Sequence, residues 1–277
     1  MKLLVAGCGP AGLFAAICAA RAAPGLEVTV LERDQIPMRW MGAAGKPRAL
    51  TCAGLDPNLL ARAYPHGSEF MHGAVQAWPP AQMLDWLRDE GIETRAEAGG
   101  VFPAPGLAGQ RLGQKLLEAA ARAGVRVQTG IAVAEVAAST NGFNVWMKSG
   151  PSFEADRLLL ATGGRAGQTG WNIAKYFGHS VHPFVPSPVL LQTRDARAQT
   201  GVEIDVPGAS ATLPQLGAEA TGGVSLLPSG IGGNAVLEIA ARRAHELASL
   251  DYKCILEVNW VADAVTGQPT RTLRQMQ

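Results

Sequence analysis

The spacing of apolar positions changes twice near the start of the chain. A continuous apolar run from Lys2 to Ala6 predicts a buried strand, and an apolar stretch from Leu13 to about Ala22 predicts a helix. Gly25 ends that helix, and the run from Glu27 to Leu31 predicts a second strand. Strand, helix and strand in this order predict a parallel βαβ unit.

The pattern continues as helices and strands up to about residue 180. Residues 33–78 show little periodicity and are interpreted as a long irregular loop, and Gly99–Pro103 is interpreted as a turn. The Asn141-Gly142 pair predicts a hairpin, so the strands on either side of it are expected to form a β-meander. Helices are predicted over residues 79–90 and 110–123, and strands over residues 125–128, 131–136, 143–148 and 155–161.

From His182 onward the chain consists of short β-like runs separated by prolines and glycines. This pattern predicts a second, mostly antiparallel domain of sheet or partial-barrel type. The polar tail towards Gln277 is expected to be loose. The β-like runs cover residues 189–193, 201–206, 210–213 and 224–227, and a helix over 235–247 and a strand over 254–259 follow them.

The glycine-rich run G-C-G-P-A-G at residues 7–12 lies between the first strand and the first helix. Gly7 allows a tight turn, Gly9 lets the backbone approach a pyrophosphate, and Gly12 lets the helix pack close to the strand. The helix N-terminus directs N–H groups and partial positive charge at the phosphates. Glu32 follows Gly12 at the spacing of about 20 residues expected for a carboxylate that binds ribose hydroxyls. The run predicts a dinucleotide site in a doubly wound, Rossmann-like α/β domain; an ordinary glycine-rich loop is the alternative, because the chain holds 33 glycines.

A second motif, A-T-G-G at residues 161–164, ends the strand predicted over residues 155–161. Small residues at this point let the backbone pass close to a dinucleotide at the switch point of the sheet. Together with the glycine-rich run at residues 7–12, this motif favours FAD over a domain that binds nicotinamide dinucleotide alone.

The amino-acid composition of the chain argues against several classes of function. Hydrophobic residues make up 47% of the chain and charged residues 17%, and the net charge of +1 gives no electrostatic case for nucleic acid or an anionic membrane. No apolar run reaches the ~18 residues that a membrane span needs, and too few apolar residues precede Cys8 for a lipoprotein signal. The four cysteines show no metal-binding spacing, so no metal is expected and the reduced cytoplasm is the simplest compartment.

The sequence contains no recognisable catalytic triad or pair of carboxylates, and we assign no catalytic acid or base. The histidines are scattered along the chain, and for each of them a structural role is expected ahead of a catalytic one. They are His66, His72, His179, His182 and His245.

Taken together, these segments resemble a family of bacterial NAD(P)/FAD-dependent oxidoreductases that includes aminoacetone-oxidase-like and bile-acid-reductase-like flavoproteins. The resemblance implies FAD, a doubly wound cofactor domain and a second domain like a β-barrel. It rests on matches in family order at residues 7–12, 31–33, 99–103, 161–164 and 173–179, with a weaker match at residues 222–233.

The chain departs from the family pattern in three places. Only Gly45 and Arg48 match the family's S-G-x-G-R-C-N loop beside the flavin, and Pro228-Ser229 stands where the family tends to have Thr-His. No C-terminal glycine-rich segment that returns to the flavin is found before Gln277. We therefore expect either a fragment or a shortened relative with an incomplete flavin site, which binds FAD weakly and reversibly.

The leading hypothesis is an FAD-dependent oxidoreductase that acts on a small molecule, with either the substrate itself or NAD(P)H as electron donor. The alternatives are a non-catalytic dinucleotide-binding relative of such enzymes and a dehydrogenase that uses nicotinamide alone. We expect an FAD/NAD(P)-binding domain over residues 1–180 and a β-rich second domain over residues 181–277. The residues expected to bind the cofactor are Gly7, Gly9, Pro10, Ala11, Gly12, Glu32, Arg33, Arg48, Val133, Ala161, Thr162, Gly163 and Gly164.

Overall fold

The chain divides into two compact units, each with its own hydrophobic core. The first unit comprises Met1–Tyr64 and Ser68–His182, and the second comprises Pro65–Gly67 and Pro183–Gln277. The computed structural model describes residues 1–38, 41, 49–52, 56–97, 100–107, 109–150, 152–163, 168–182, 184–188, 190–193, 203–260 and 272–273.

Strands and helices alternate through much of the first unit, as the apolar pattern predicted. In chain order its elements are β1 (Lys2–Ala6), α1 (Pro10–Ala22), β2 (Glu27–Leu31), α2 (Pro57–Arg62), α3 (Ser68–Ala77), α4 (Pro80–Asp89), β3 (Thr94–Glu97), β4 (Gly100–Pro103), α5 (Gln110–Arg122), β5 (Arg126–Gln128), β6 (Val133–Ser139), β7 (Gly142–Met147), β8 (Phe153–Ala155), β9 (Arg157–Leu160) and α6 (Gln168–Tyr176).

A four-stranded parallel sheet in the order β5–β2–β1–β9 lies at the centre of the first unit. Successive side chains of β1 point to opposite faces of this sheet. Val5 packs into a core that includes residues of α1, α4 and α5, whereas Leu4 and Ala6 pack with residues of the antiparallel meander β6–β7–β8. Both faces are therefore covered, and the predicted doubly wound α/β fold with a β-meander is confirmed.

Two helices occupy part of the stretch that the sequence pattern indicated to be irregular. The interpretation of residues 33–78 as a loop is wrong for residues 57–62 and 68–77, which form α2 and α3. The Asp56 carboxylate accepts a hydrogen bond from the Asn58 N–H at 2.7 Å, and Pro57 fits the first turn of α2. With six residues, α2 is too short for a periodic pattern to mark it, and α2 and α3 pack against each other.

The predicted turn at Gly99–Pro103 is also wrong. Gly100–Pro103 is a strand, β4, which pairs with β3 in an antiparallel ladder, and Gly99 lies outside the described residues. The N–H of Val101 also donates to the carbonyl oxygen of Thr51 at 2.7 Å. This partner is distant in sequence, so the local pattern gave no sign of it.

In its described residues the second unit has two antiparallel sheets, two short α-helices and a 3₁₀ helix, and the predicted antiparallel character is confirmed. The predicted helix over residues 235–247 is two helices, because the backbone leaves the helical conformation at Arg243, where φ is −119°. In chain order the elements are β10 (Ile204–Val206), β11 (Ser210–Leu213), a 3₁₀ helix (Pro214–Leu216), β12 (Ala218–Thr221), β13 (Val224–Leu227), β14 (Gly230–Gly232), α7 (Asn234–Arg242), α8 (Ala244–Ser249), β15 (Glu257–Asn259) and β16 (Thr272–Leu273).

The sheets of the second unit have the orders β10–β13–β14 and β12–β11–β15–β16. A core that includes Val224, Ile231, Val236 and Leu247 lies between the strands and the helices. Apart from β16, the tail after Trp260 lies outside the described residues. Within the described ranges, no helix is both long and apolar enough to cross a membrane.

The buried carboxylate of Glu90, just after α4, bonds to side chains of α1 and α5. Glu90 follows α4, its side chain is 2% exposed, and it forms ion pairs with Arg21 of α1 at 2.5 Å and with Arg122 of α5 at 2.7 Å. Burial by itself raises the pKa of Glu90, but the hydrogen bonds and charges of Arg21 and Arg122 outweigh it and lower the pKa. The ionised carboxylate therefore stabilises the packing of these helices.

Replacing Glu90 with Gln should lower the free energy of unfolding by about 1–2 kcal/mol, because the neutral amide loses charge-assisted hydrogen bonds to two half-exposed guanidinium groups. The loss should be complete at neutral pH, above the ordinary pKa of a glutamate. It should shrink as the pH falls through the lowered pKa of Glu90, where the parent also becomes neutral. Urea denaturation at several pH values measures the loss of unfolding free energy at neutral pH and its decrease at lower pH.

The matched control is Glu118→Gln, which removes an exposed carboxylate whose nearest ion-pair distance is 3.7 Å, to Lys115. We expect no measurable change from this variant. Equal losses of unfolding free energy in the two variants would show that the ion pairs of Glu90 stabilise the fold no more than an exposed pair does.

Candidate dinucleotide-binding site

The carboxyl ends of β1, β2 and β9 meet at one edge of the parallel sheet, where a cavity of about 380 Å³ opens. Ligands of open parallel sheets bind outside this edge, at the point where the strand order reverses. The cavity is lined by Ala6, Gly7, Cys8, Gly9, Pro10, Ala11, Leu31, Glu32, Arg33, Asp34, Ile131, Ala132, Val133, Lys148, Ala161, Thr162, Gly163 and Thr169.

Gly7 and Gly12 are required by the fold itself. The φ angle of Gly7 is +113°, which L side chains rarely adopt, and a Cβ there would overlap the carbonyl oxygen of Ala161. A Cβ on Gly12 would overlap the carbonyl oxygen of Gly7. The predicted tight turn at Gly7 and the close packing of α1 at Gly12 are both confirmed.

Gly9 differs, because the described part of the protein gives no reason for a glycine at this position. Its φ and ψ of −82° and 175° suit any residue, and a Cβ there would meet no described atom within 4 Å. Gly9 lies on the wall of the cavity, so the space that a side chain would fill is open to a ligand. A phosphate that approaches the backbone closely accounts for this glycine.

The first turn of α1 supplies the hydrogen-bond donors for such a group. Gly9 is the N-cap, Pro10 lies in the first turn, and Gly9 has no side chain that could accept from the helix. The first regular bond of the helix runs from the Leu13 N–H to the Gly9 carbonyl oxygen at 3.0 Å, which leaves the preceding N–H groups directed out of the helix. An N-terminus of this kind favours an anion.

The Glu32 carboxylate is held in place by the backbone. Its Oε2 accepts from the N–H of Cys8 and its Oε1 from the N–H of Asp34, each at 3.0 Å. Each carboxylate oxygen can accept more than one hydrogen bond, so both retain capacity for ribose hydroxyls. Glu32 therefore also fixes the glycine-rich loop, a role that the spacing in the sequence did not indicate.

The Cys8 thiol adds no negative charge to the phosphate loop. Burial, followed by the negative charge of Glu32, raises its pKa to about 12. Cys8 is 1% exposed and packs in the core of the first unit. A neutral thiol next to Gly9 does not repel an anionic ligand.

Most of the residues that the sequence predicted for the cofactor come together around the cavity. Those on its wall are Gly7, Gly9, Pro10, Ala11, Glu32, Arg33, Val133, Ala161, Thr162 and Gly163. Gly12 lies behind the wall against Gly7, whereas Arg48 and Gly164 lie outside the described residues.

Sequence reasoning missed several cavity residues, among them Lys148 and Thr169. Lys148 follows β7, and its N–H donates to the carbonyl oxygen of Ala132 at 3.0 Å. The hairpin at Asn141 pairs Ser139 with Gly142, and counting along that register would place Lys148 opposite Val133. A β-bulge between Val133 and Glu135 shifts the register by one residue and brings Lys148 opposite Ala132, and the hairpin signal does not predict this bulge. The acidic and cysteine residues of the described ranges form no cluster with histidine that could hold a metal ion.

Replacing Gly9 with Val should weaken ADP and FAD binding roughly tenfold or more, because the side chain fills the space beside N–H groups whose bonds to a charged ligand contribute about 1.5–3 kcal/mol each. The free energy of unfolding should change by about 1 kcal/mol or less, since only a helix cap is altered. Isothermal titration calorimetry and urea denaturation measure the two effects.

Gly73→Val on α3 is the control, because Gly73 also has room for a side chain and does not line the cavity. It should leave ADP affinity unchanged. Parent-like ADP affinity of the Gly9 variant would contradict the phosphate assignment.

Comparisons with known proteins agree with this geometry. The profile of the family described as "HI0933-like protein Rossmann domain" matches residues 1–242. The 3-dehydro-bile acid delta(4,6)-reductase of Clostridium scindens is 31% identical over 259 residues, which cover 89% of this chain and 61% of the relative. The chain thus spans about three fifths of the length of that relative.

Two solved structures are also similar to the chain. The 3-ketosteroid-delta4-(5alpha)-dehydrogenase of Rhodococcus jostii RHA1 has a TM-score of 0.44 and 20% identity, over 60% of this chain and 46% of its own. BexE has a TM-score of 0.41 and 19% identity, over 83% of this chain and 42% of its own.

The match over residues 1–242 covers most of the chain, and the cavity has the glycine loop and the carboxylate that a dinucleotide requires. FAD, the cofactor expected from the sequence, is the dinucleotide of the matching family. The chain belongs to the HI0933-like Rossmann family of bacterial FAD-dependent oxidoreductases.

Proposed function

We propose that this chain binds FAD in the cavity at the end of the parallel sheet and acts as an FAD-dependent oxidoreductase on a small organic molecule, with NAD(P)H as electron donor. The observation that carries the proposal is Gly9, a glycine on the cavity wall that the described residues do not require and a close phosphate explains. The fixed carboxylate of Glu32 in the same cavity supports it.

Each cavity residue has a role in this proposal. The backbone from Gly9 to Ala11 binds the pyrophosphate, and Glu32 accepts from the ribose hydroxyls. Arg33 and Val133 border the adenosine. Ala161, Thr162 and Gly163 let the chain pass close to the dinucleotide. Gly164 and Arg48, which the sequence also predicts to bind the cofactor, lie outside the described residues.

When bound, FAD supplies the electron-transfer chemistry, and the protein orients it and limits the access of water. The name of the Clostridium scindens relative, a reductase of a bile acid, supports a small organic substrate. We assign no catalytic acid or base to this chain.

A non-catalytic dinucleotide-binding protein is the second candidate. It is favoured by residues 44–50, which keep only Gly45 and Arg48 of the S-G-x-G-R-C-N pattern that the resembling enzymes place beside the flavin. Both candidates require the dinucleotide site, and they differ in whether bound flavin can be reduced.

The proposed function is tested by the visible spectrum of the purified chain and by anaerobic titration with NADH and with NADPH. We expect one FAD per chain after reconstitution and loss of the flavin absorbance with at least one of the two donors. Bound flavin that neither donor reduces would leave the second candidate. Absence of FAD binding, with NAD bound in its place, would reject both in favour of a nicotinamide-only protein.

Replacing Glu32 with Gln should weaken ADP binding roughly 10- to 150-fold, the equivalent of about 1.5–3 kcal/mol for hydrogen bonds to a charged group. The same variant should narrow the preference for ADP over adenosine 2′,5′-bisphosphate, because the carboxylate repels a 2′-phosphate. Calorimetric titration of both ligands checks the prediction.

Glu27→Gln is the matched control, since Glu27 lies at the opposite end of the same strand, β2. It should leave both affinities unchanged. If Glu32→Gln bound ADP as tightly as the parent, the ribose assignment would be wrong, even if the loop lost stability.

A further inference from the structure

The second unit contains a cavity of its own, with a volume of about 440 Å³, that the proposed flavin chemistry does not use. This volume falls within the range of about 300–1,000 Å³ for small-molecule sites. The cavity is lined by Pro186, Pro188, Leu190, Leu191, Gln192, Thr193, Ile231, Tyr252, Cys254 and Leu256.

One wall is the segment around Leu191, which is fastened to β14. Leu191 and Ile231 exchange two backbone hydrogen bonds, each of 2.8 Å. Gly230 makes this approach possible, because a Cβ at Gly230 would overlap the carbonyl oxygen of Leu191. The contact between this segment and β14 therefore depends on the absence of a side chain at Gly230.

A second wall of the cavity follows α8 and begins with Tyr252. The φ angle of Tyr252 is +57°, a left-handed conformation that is unfavourable for a bulky residue. Its N–H donates to the Leu247 carbonyl oxygen at 2.8 Å, and its hydroxyl donates to the Pro186 carbonyl oxygen at 3.0 Å. The strained tyrosine thus joins the two walls, although Tyr252 and Pro186 are 66 residues apart.

The residues that line the cavity indicate the polarity and charge of the ligand it can bind. Among the lining residues Ile231 and Leu256 are buried, and no described lining residue carries a formal charge. Gln192 is exposed at the edge, and its carboxamide can donate to a carbonyl or accept from a hydroxyl. A charged group would lose hydration here without a partner, whereas an apolar body with one polar group would not.

We propose that this cavity binds a neutral, mainly apolar small molecule with one carbonyl or hydroxyl group, which lies against Ile231 and Leu256 and hydrogen-bonds to Gln192. The site belongs wholly to the second unit and does not rest on the proposed oxidoreductase activity. Its occupant differs in charge from the dinucleotide of the first unit.

The native chain provides the first test, with Nile red as the probe because it is a neutral, apolar dye that carries a ring carbonyl. We expect saturable binding of one dye per chain. At saturation, alkylation of Cys254 by iodoacetamide, followed by peptide mass spectrometry, should slow about fivefold or more, because the dye covers a thiol that lines the cavity.

Cys18 serves as an internal control, since it is also partly buried but lies on α1 in the first unit. Its alkylation rate should not change. Absence of saturable dye binding, an unchanged rate at Cys254, or equal slowing of both cysteines would overturn the proposal. Equal or tighter binding of the anionic dye 1-anilinonaphthalene-8-sulfonate would overturn the neutral ligand class.

Three variants at two cavity residues locate the site. Cys254→Trp should weaken Nile red binding roughly tenfold or more because it fills the cavity, whereas Cys254→Ala should change it by about twofold or less. Gln192→Leu, which keeps the size but loses the carboxamide, should weaken it about fivefold. Parent-like dye affinity in Cys254→Trp, in a chain whose ADP affinity is unchanged, would refute the assignment.

Discussion

The close approach of three backbone segments is the constraint on which the first unit depends. The loop after β1, the first turn of α1 and the residue that follows β9 meet where side chains at Gly7 and Gly12 would overlap carbonyl oxygens. The Ala161 N–H donates to the Ala6 carbonyl oxygen at 2.8 Å and holds the third segment against the first. Because no bulky side chain separates these segments, the N-terminus of α1 lies at the edge of the sheet where the cavity opens.

Glu32 connects this loop to the neighbouring strand. Its carboxylate accepts from the N–H groups of Cys8 and Asp34, so the shape of the glycine-rich loop and the position of the Glu32 carboxylate depend on the same hydrogen bonds. A carboxylate fixed before the ligand arrives loses little conformational freedom on binding. The same contacts place Glu32 beside Cys8, whose buried thiol stays neutral and leaves the phosphate region without a further negative charge.

In the second unit, too, a glycine allows two backbone segments to approach closely, and here they form part of a cavity whose described walls are uncharged. Gly230 allows the backbone of Leu191 to approach β14, and the Tyr252 hydroxyl donates to the carbonyl oxygen of Pro186. The described walls of that cavity are mainly apolar and carry no formal charge, whereas the cavity of the first unit is lined by Glu32, Asp34, Arg33 and Lys148 among others. The two cavities therefore suit ligands of opposite character, one charged and one neutral.

The sequence by itself determined the βαβ unit at residues 1–31, the meander around Asn141 and the antiparallel character of the second unit, because glycine turns, hairpin signals and apolar periodicity act over short distances. It also indicated Gly9 and Glu32, whose spacing follows from the geometry of that unit. It did not determine β4, which pairs with β3 and also bonds to Thr51, or the break in the helix at Arg243. Only the tertiary structure showed that Glu32 holds Cys8, that Lys148 reaches the cavity and that Tyr252 bonds to Pro186. Each of these contacts joins residues far apart in the chain, and local patterns hold no information about such partners.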